Sequence, residues 1–204
     1  MKYRNENNHD KMRKIIAAIN MTLDGFCDHT VIIPDEEIHQ HYADLLSNAD
    51  AALYGRITYQ LMEFWRPIVK NPTGIKSTDE FAVAIDSIPK IVFSHTLKNV
   101  EWESAKLANQ DIEKEVLELK QSRNGGSKDI LVCSPSLIVA LTKLNLINEY
   151  QLCVHPVIAG NGLPLFKNIN EKITLKHVKT KTFRFGAVML YYEPAKMTSK
   201  EPFS

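Results

Sequence analysis

The chain has 204 residues, with 25 Lys plus Arg against 24 Asp plus Glu. A chain of that length buries about 70% of its unfolded surface, enough for one core without covalent staples. The balanced charge excludes the basic field that gathers nucleic acid or anionic lipid, and no apolar run approaches the ~20 residues that span a bilayer.

The opening residues 1–10 lack the apolar stretch of a secretion signal, so a cytoplasmic location and a small-molecule partner are expected. Cys27, Cys133 and Cys153 lie far apart with no Cys-x-x-Cys pair, the pattern of buried thiols rather than of zinc or dithiol chemistry. His39 and His41, two apart on a helix, would point about 200° from each other. No metal site is expected.

Residues 1–12 are polar and expected to be disordered, 13–195 form one folded domain, and 196–204 form a flexible tail. Lys14 to Ile19 is a continuous apolar run before a turn at Asp24-Gly25, which suits a central strand buried on both faces. Pro34-Asp35-Glu36-Glu37 opens a helix whose Ile38, Tyr42, Leu45 and Leu46 recur at helical spacing. Ala49 to Tyr54 reads as a second strand and Ile57 to Trp65 as a short helix. Ser77-Thr78-Asp79-Glu80 has the form of a capping box for a helix through Asp86, followed by a third strand, Lys90 to Ser94.

Asp111 caps a helix carrying Ile112, Val116 and Leu119, with a glycine cap expected at Asn124-Gly125-Gly126. Asp129 to Cys133 is a fourth strand. Ser134 and Pro135 suit the N-cap and first position of a helix through Leu144. Glu149 to Val154 is a fifth strand, and Ile173 to Lys181 with Ala187 to Tyr192 reads as an antiparallel pair around Phe185-Gly186. The alternation predicts an α/β three-layer sandwich, a mostly parallel central sheet with antiparallel C-terminal strands.

In such a sheet, ligands bind beyond the carboxyl ends of the strands, where helix N-termini present free N–H groups. Three segments have that character. Tyr54-Gly55-Arg56-Ile57-Thr58 joins a strand to a helix with glycine for close approach and donors suited to phosphate. Ser94-His95-Thr96 offers hydroxyls and an imidazole, and Cys133-Ser134-Pro135-Ser136-Leu137 is a small-residue turn into a helix. Taken singly, the first two read first as plain polar turns, and the third reads as well as a plain turn as a site. Gly160-Asn161-Gly162 lacks the later glycine of a dinucleotide fingerprint, Gly125-Gly126-Ser127-Lys128 lacks phosphate-loop spacing, and no Gly-x-Ser-x-Gly elbow exists.

In this order the segments resemble the dihydrofolate-reductase-like superfamily, particularly the reductase domain of bifunctional riboflavin-biosynthesis deaminase-reductases and its stand-alone bacterial relatives. The landmarks are Asn20-Met21-Thr22-Leu23-Asp24-Gly25, Leu53 to Tyr59, Pro89 to Leu97, Asp129 to Leu137 and Pro156 to Phe166. The resemblance implies a dihydrofolate-reductase-like fold, NADPH as cofactor and a homodimer.

It also implies site residues. Gly55, Arg56, Ile57 and Thr58 would hold cofactor phosphates, and Ser94 and His95 would lie near the adenosine 2'-phosphate. Ser134, Pro135, Ser136 and Leu137 would turn helix N–H groups to the pyrophosphate, while Ala18 and the Asp24-Gly25 turn would flank the nicotinamide. Cys133 stands where the family carries glycine, and its side chain would narrow the cofactor's path. Counting back from Gly55 puts His39 where dihydrofolate reductases proper carry a helix carboxylate, so folate is not the expected substrate.

Asp24 is either ordinary turn chemistry or the proton relay, and Trp65 either a core aromatic or one wall of the substrate pocket. The expected activity is hydride transfer from NADPH to a small pterin-like, pyrimidine-like or other heteroaromatic or imine substrate. The alternative is a non-catalytic NADP(H)- or small-ligand-binding protein on the same fold.

Overall fold

In a computed structural model describing residues 12–32, 34–122 and 128–195, β1 (Ile15–Thr22) lies between two parallel partners near the middle of the sheet. Both faces of β1 are covered, which is why its sequence is apolar without alternation. The expected disordered start and flexible tail, Met12 apart, and the expected glycine cap at Asn124-Gly125-Gly126 lie outside the described residues.

After β1 come α1 (Glu36–Ser47), β2 (Ala49–Gly55), α2 (Arg56–Met62), a 3-10 turn (Glu63–Trp65), α3 (Arg66–Lys70) and α4 (Lys76–Ser87). They are followed by β3 (Lys90–Phe93), β4 (Ala105–Leu107), α5 (Ile112–Gln121), β5 (Asp129–Val132), α6 (Pro135–Lys143), β6 (Glu149–His155), β7 (Leu175–Thr182) and β8 (Val188–Pro194). The eight-stranded sheet runs β4-β3-β2-β5-β1-β6-β8-β7, parallel through β6 and antiparallel at β8 and β7. This is the predicted three-layer sandwich with antiparallel closing strands.

Helices that carry the chain toward β4 pack on one face, and those that carry it back pack on the other. Ala43 and Leu46 of α1 and Ala84 and Ile85 of α4 share a core with Ile16, Ala52, Tyr54 and Leu131. Val116 of α5 and Leu137, Ile138 and Leu141 of α6 share the opposite core with Ile15, Ala17, Leu53 and Ile130. Each fully buried Ile or Leu here contributes roughly 1.5–3 kcal/mol relative to exposure. Because α2 leaves β2 on one face and α6 leaves the adjacent β5 on the other, the chain parts at the β2/β5 junction and opens a crevice there.

Three local expectations are corrected, and one strand, β4, was not expected. The helix expected at Ile57 to Trp65 breaks into α2, the 3-10 turn and α3, with Pro67 in the first turn of α3. Ser77 does not cap α4, whose N-cap is Ile75. Ser77 is instead buried in the helix, and the Asp79 carboxylate accepts from Thr73 N–H and Oγ1 (both 2.8 Å) and from Gly74 N–H (3.0 Å). Ser134 occupies the N-cap of α6, but its hydroxyl makes no capping bond. The three-residue β4 carries no apolar run to announce it. Its place at the sheet edge is held by pairing with β3 and by Lys90 N–H donating to the Ser104 carbonyl (2.7 Å).

Candidate functional site

At the β2/β5 junction the Gly55 N–H donates to Ser134 Oγ at 2.8 Å. The hydroxyl expected to cap its own helix therefore ties together two strand ends that send their helices to opposite faces. A Cβ on Gly55 would lie 3.3 Å from Ser136 Oγ and 3.8 Å from Ser134, so a side chain there would crowd the Ser136 hydroxyl by a few tenths of an ångström, and glycine serves this close approach rather than any unusual dihedral.

The crevice widens into a cleft of about 1920 Å³ along the carboxyl ends of five strands. Beyond β3 and β4 its lining is polar: Ser94, His95 and Thr96, then Asn109, Gln110 and Asp111. Ser94 Oγ accepts from the Thr96 and Leu97 N–H groups, which fixes that turn. At the centre lie Gly55, Arg56, Ile57 and Thr58 opposite Pro135, Ser136 and Leu137. The first N–H groups of α6 have no intrahelical acceptor and the positive end of its dipole is there. Arg56 is exposed and donates to Gln60 at 3.1 Å.

Toward β1, where Ala18 and Asn20 line the cleft, the lining turns aromatic: Tyr42 and Phe81 pack with Ala18, and His39 and Trp65 pack against Phe81. From β3 to β1 are three inter-strand steps, roughly 14 Å at sheet spacing. Ser94, His95, Gly55 through Thr58, Pro135 through Leu137, Ala18 and Trp65 thus line one continuous cleft, whereas Ser134, expected among them, is buried outside the lining with its hydroxyl bonded to Gly55 N–H. Cys133 lines it too, and burial pushes its thiol up to about 12, so the side chain there is neutral.

Asp24 and Gly25 sit outside that lining. Asp24 accepts from Thr22 Oγ1 at 2.6 Å, from Ala159 N–H at 3.1 Å and from Gly160 N–H at 2.7 Å. The Thr22 hydroxyl and these two amides hold its carboxyl down to about 2, leaving it ionised and without a proton to give at neutral pH. Gly25, at φ 91°, makes the turn that returns the chain under Thr22. The two motifs around Asp24 and Gly160 are one structure in space: Cys27 N–H donates to the Leu163 carbonyl and Leu165 N–H to the Gly25 carbonyl.

Sequence reasoning missed several cleft residues. Asn20, whose Oδ1 lies 3.0 Å from His155 Nε2, and Tyr42, whose buried hydroxyl has no partner among the described residues, both reach the cleft. Phe81 reads from sequence as an ordinary apolar position of an amphipathic helix. His39 and His41 do point apart, His39 to Trp65 and Phe81, His41 to Tyr42 and Phe183. Among the described residues no group of three or more His, Cys, Asp or Glu is arranged to hold a metal ion, and no helix is long and apolar enough to cross a membrane.

The profile of the RibD C-terminal domain matches residues 13–189, which is most of the chain. The chain belongs to the RibD C-terminal domain family. It is 34% identical over 192 residues to the uncharacterized protein YyaP of Bacillus subtilis (strain 168), covering 91% of this chain and 97% of that one. A solved structure from Shewanella sp. PV-4, of a protein assigned by name to riboflavin biosynthesis, superposes with a TM-score of 0.67 at 17% identity, covering 90% and 99%. A pyrimidine reductase-like protein from Corynebacterium diphtheriae gives 0.61 at 13% identity, covering 90% and 92%. At those identities the likeness is one of fold, and the fold is the reductase-like one that riboflavin-pathway proteins share.

Proposed function

We propose that this RibD C-terminal domain protein is an NADPH-dependent reductase of a small heteroaromatic or imine substrate, acting in the cytoplasm as a homodimer. The observation that carries the reading is the order of chemistry along one cleft: polar turns at one end, a phosphate-suited junction at the centre, an aromatic recess at the other. That sequence of environments suits a nucleotide cofactor laid across the strand ends with its reactive ring toward Ala18.

The residues fit such a group. Gly55 contributes the close approach, α6 contributes N–H donors, and Arg56 and Thr58 contribute a cation and a hydroxyl for phosphate oxygens. Ser94 and His95 provide donors for a further phosphate, which favours NADPH over NADH. When bound, the cofactor supplies a hydride; the chain's residues hold the acceptor ring against it and keep water away. Neutral Cys133 adds bulk but no charge to the path.

The test is direct NADPH titration by calorimetry, followed by NADPH oxidation with a panel of pterins, ribosylaminopyrimidines and quinonoid compounds. Saturable NADPH binding with turnover of at least one panel member supports the enzyme. Absence of NADPH binding overturns the reading. A second reading is a non-catalytic binder of NADP(H) or a small ligand, favoured by the commitment of Asp24 to the backbone of the neighbouring loop. Binding without turnover of any member selects that reading.

A further inference from the structure

Asn20 breaks the apolar run of β1 where that strand reaches the cleft. An amide is disfavoured in a strand covered on both faces, so its polar atoms need partners. Two residues after Ala18, Asn20 points to the same side of the sheet, the side on which Ala18 and Cys153 pack with Ile38 and Tyr42 of α1. On β6, Cys153 lies in register with Asn20, and His155 follows two positions further along the same side. The imidazole therefore meets the amide, with Asn20 Oδ1 3.0 Å from His155 Nε2.

That contact uses one half of the amide. Among the described residues Asn20 Nδ2 has no hydrogen-bond partner, and it is not among the buried orphaned atoms, because the side chain is partly exposed in the cleft lining. His155 is 5% exposed, and its Nε2 also lies 3.7 Å from Cys153 Sγ. Burial keeps that thiol neutral, and a neutral sulfur is a weak acceptor, so the amide oxygen is the better partner for an Nε2–H. Accepting it turns the Nδ2 donors toward the cleft. Nearby in the lining, Ala18 brings no polar side-chain atom and Cys133 only a neutral thiol.

We propose that Asn20 binds the ring carboxamide of the nicotinamide cofactor, donating from Nδ2 to its carbonyl oxygen, and that His155 is the positioning residue that orients the amide. The inference rests on the reductase reading, which lays the reactive ring of the cofactor toward Ala18. A donor carried by a central strand is held by the sheet on both sides, so it fixes the rotation of a ring more firmly than a loop donor does.

Three ligands, compared by calorimetry, test the assignment. NADPH has the whole carboxamide, its reduced 3-acetylpyridine analogue keeps the carbonyl but has a methyl in place of the amide nitrogen, and 2'-phospho-ADP-ribose lacks the ring. The wild type binds the first two within about twofold of each other. Asn20→Leu weakens both by about three- to tenfold, one neutral hydrogen bond's worth, and leaves 2'-phospho-ADP-ribose unchanged. His155→Phe gives the same pattern, whereas His155→Gln, whose amide N–H stands in for Nε2–H, keeps wild-type affinities. A readout that needs no variant is the Asn20 side-chain NH2 signal in a proton–nitrogen correlation spectrum, which moves with NADPH and stays in place with 2'-phospho-ADP-ribose.

An Asn20→Leu variant that binds NADPH as the wild type does, or that loses as much affinity for 2'-phospho-ADP-ribose, overturns the assignment and leaves the reductase reading standing. So does a wild type that binds the acetylpyridine analogue at least about tenfold more weakly than NADPH, since the amide oxygen would then face the cleft and accept from the carboxamide nitrogen. A wild type that does not bind NADPH overturns both.

Discussion

The Gly55 N–H and the Ser134 hydroxyl, 79 positions apart in sequence, are joined by a buried 2.8 Å hydrogen bond that ties the end of β2 to the start of α6. Because the two helices that follow lie on opposite faces, this bond fixes the width of the crevice between them. Ser134→Ala leaves a buried N–H without an acceptor, which costs about 1–3 kcal/mol. Urea denaturation of the variant is expected to show that loss in midpoint with an unchanged slope, and NADPH titration a weaker affinity. An affinity drop with no loss of stability would mean that the hydroxyl acts on ligand alone.

Arg56 gives a different pattern. It is exposed, and among the described residues it bonds only to Gln60 on the same helix, so Arg56→Ala is expected to leave stability within about 0.5 kcal/mol of wild type. Loss of a charge-assisted contact of roughly 1.5–3 kcal/mol weakens NADPH binding about ten- to a hundredfold. Calorimetry at two salt concentrations checks it, since wild-type affinity should fall more steeply with salt than that of the variant.

How much of this was legible beforehand depends on whether a feature is local. The strand at Lys14 to Ile19, the helix at Asp35 and the closing antiparallel pair are written in apolar periodicity and caps, and they stand where expected. β4 was not legible, because three residues of mixed polarity become a strand only through pairing with β3. Ser134 was recognised as an N-cap from its position before Pro135, yet the bond its hydroxyl makes depends on a strand end far away in sequence. Phe81, Trp65 and His39 come from three separate segments, and nothing in their spacing brings them together. Only the packing of α4 and the 3-10 turn against α1 does so.

Asp24 supplies a prediction with a defined sign. Its carboxyl is held at about 2, below the ordinary 3.8, so the stability it contributes is present above about pH 4 and is lost as pH falls toward 2. Asp24→Asn should therefore flatten part of the acid limb of a stability-against-pH curve. The variant should loosen the contact with Ala159 and Gly160, seen as faster amide exchange there. If Asp24 were instead the proton source, its replacement would remove an ionisation from the pH profile of turnover and leave those amides protected.

Lys90 is 1% exposed, with Nζ donating to the Ile88 carbonyl (2.9 Å), the Asp86 carbonyl (3.2 Å) and Ser104 Oγ (2.7 Å), and lying 4.0 Å above the Trp102 ring. Burial lowers its pKa from the ordinary 10.5 to about 8, with the Asp86 charge opposing the shift. The folded protein thus gives up this proton before the unfolded chain does. Below about pH 8 the cost of burying the charge is fully present, and between about 8 and 10.5 it is relieved, so Lys90 makes stability rise with pH across that window.

The thiols of Cys27 and Cys133, half-buried rather than buried as expected, and of the buried Cys153 act the other way. Held at about 12 against an ordinary 9, they make stability fall above about pH 9. The measurement is therefore the difference between wild type and Lys90→Met, in which the shared thiol contribution cancels. Relative to the variant, the wild type should gain on the order of 3 kcal/mol between pH 8 and 10.5. A flat difference across that range would show that Lys90 keeps its ordinary proton affinity in the fold, held by the two carbonyls and Trp102 strongly enough to offset its burial.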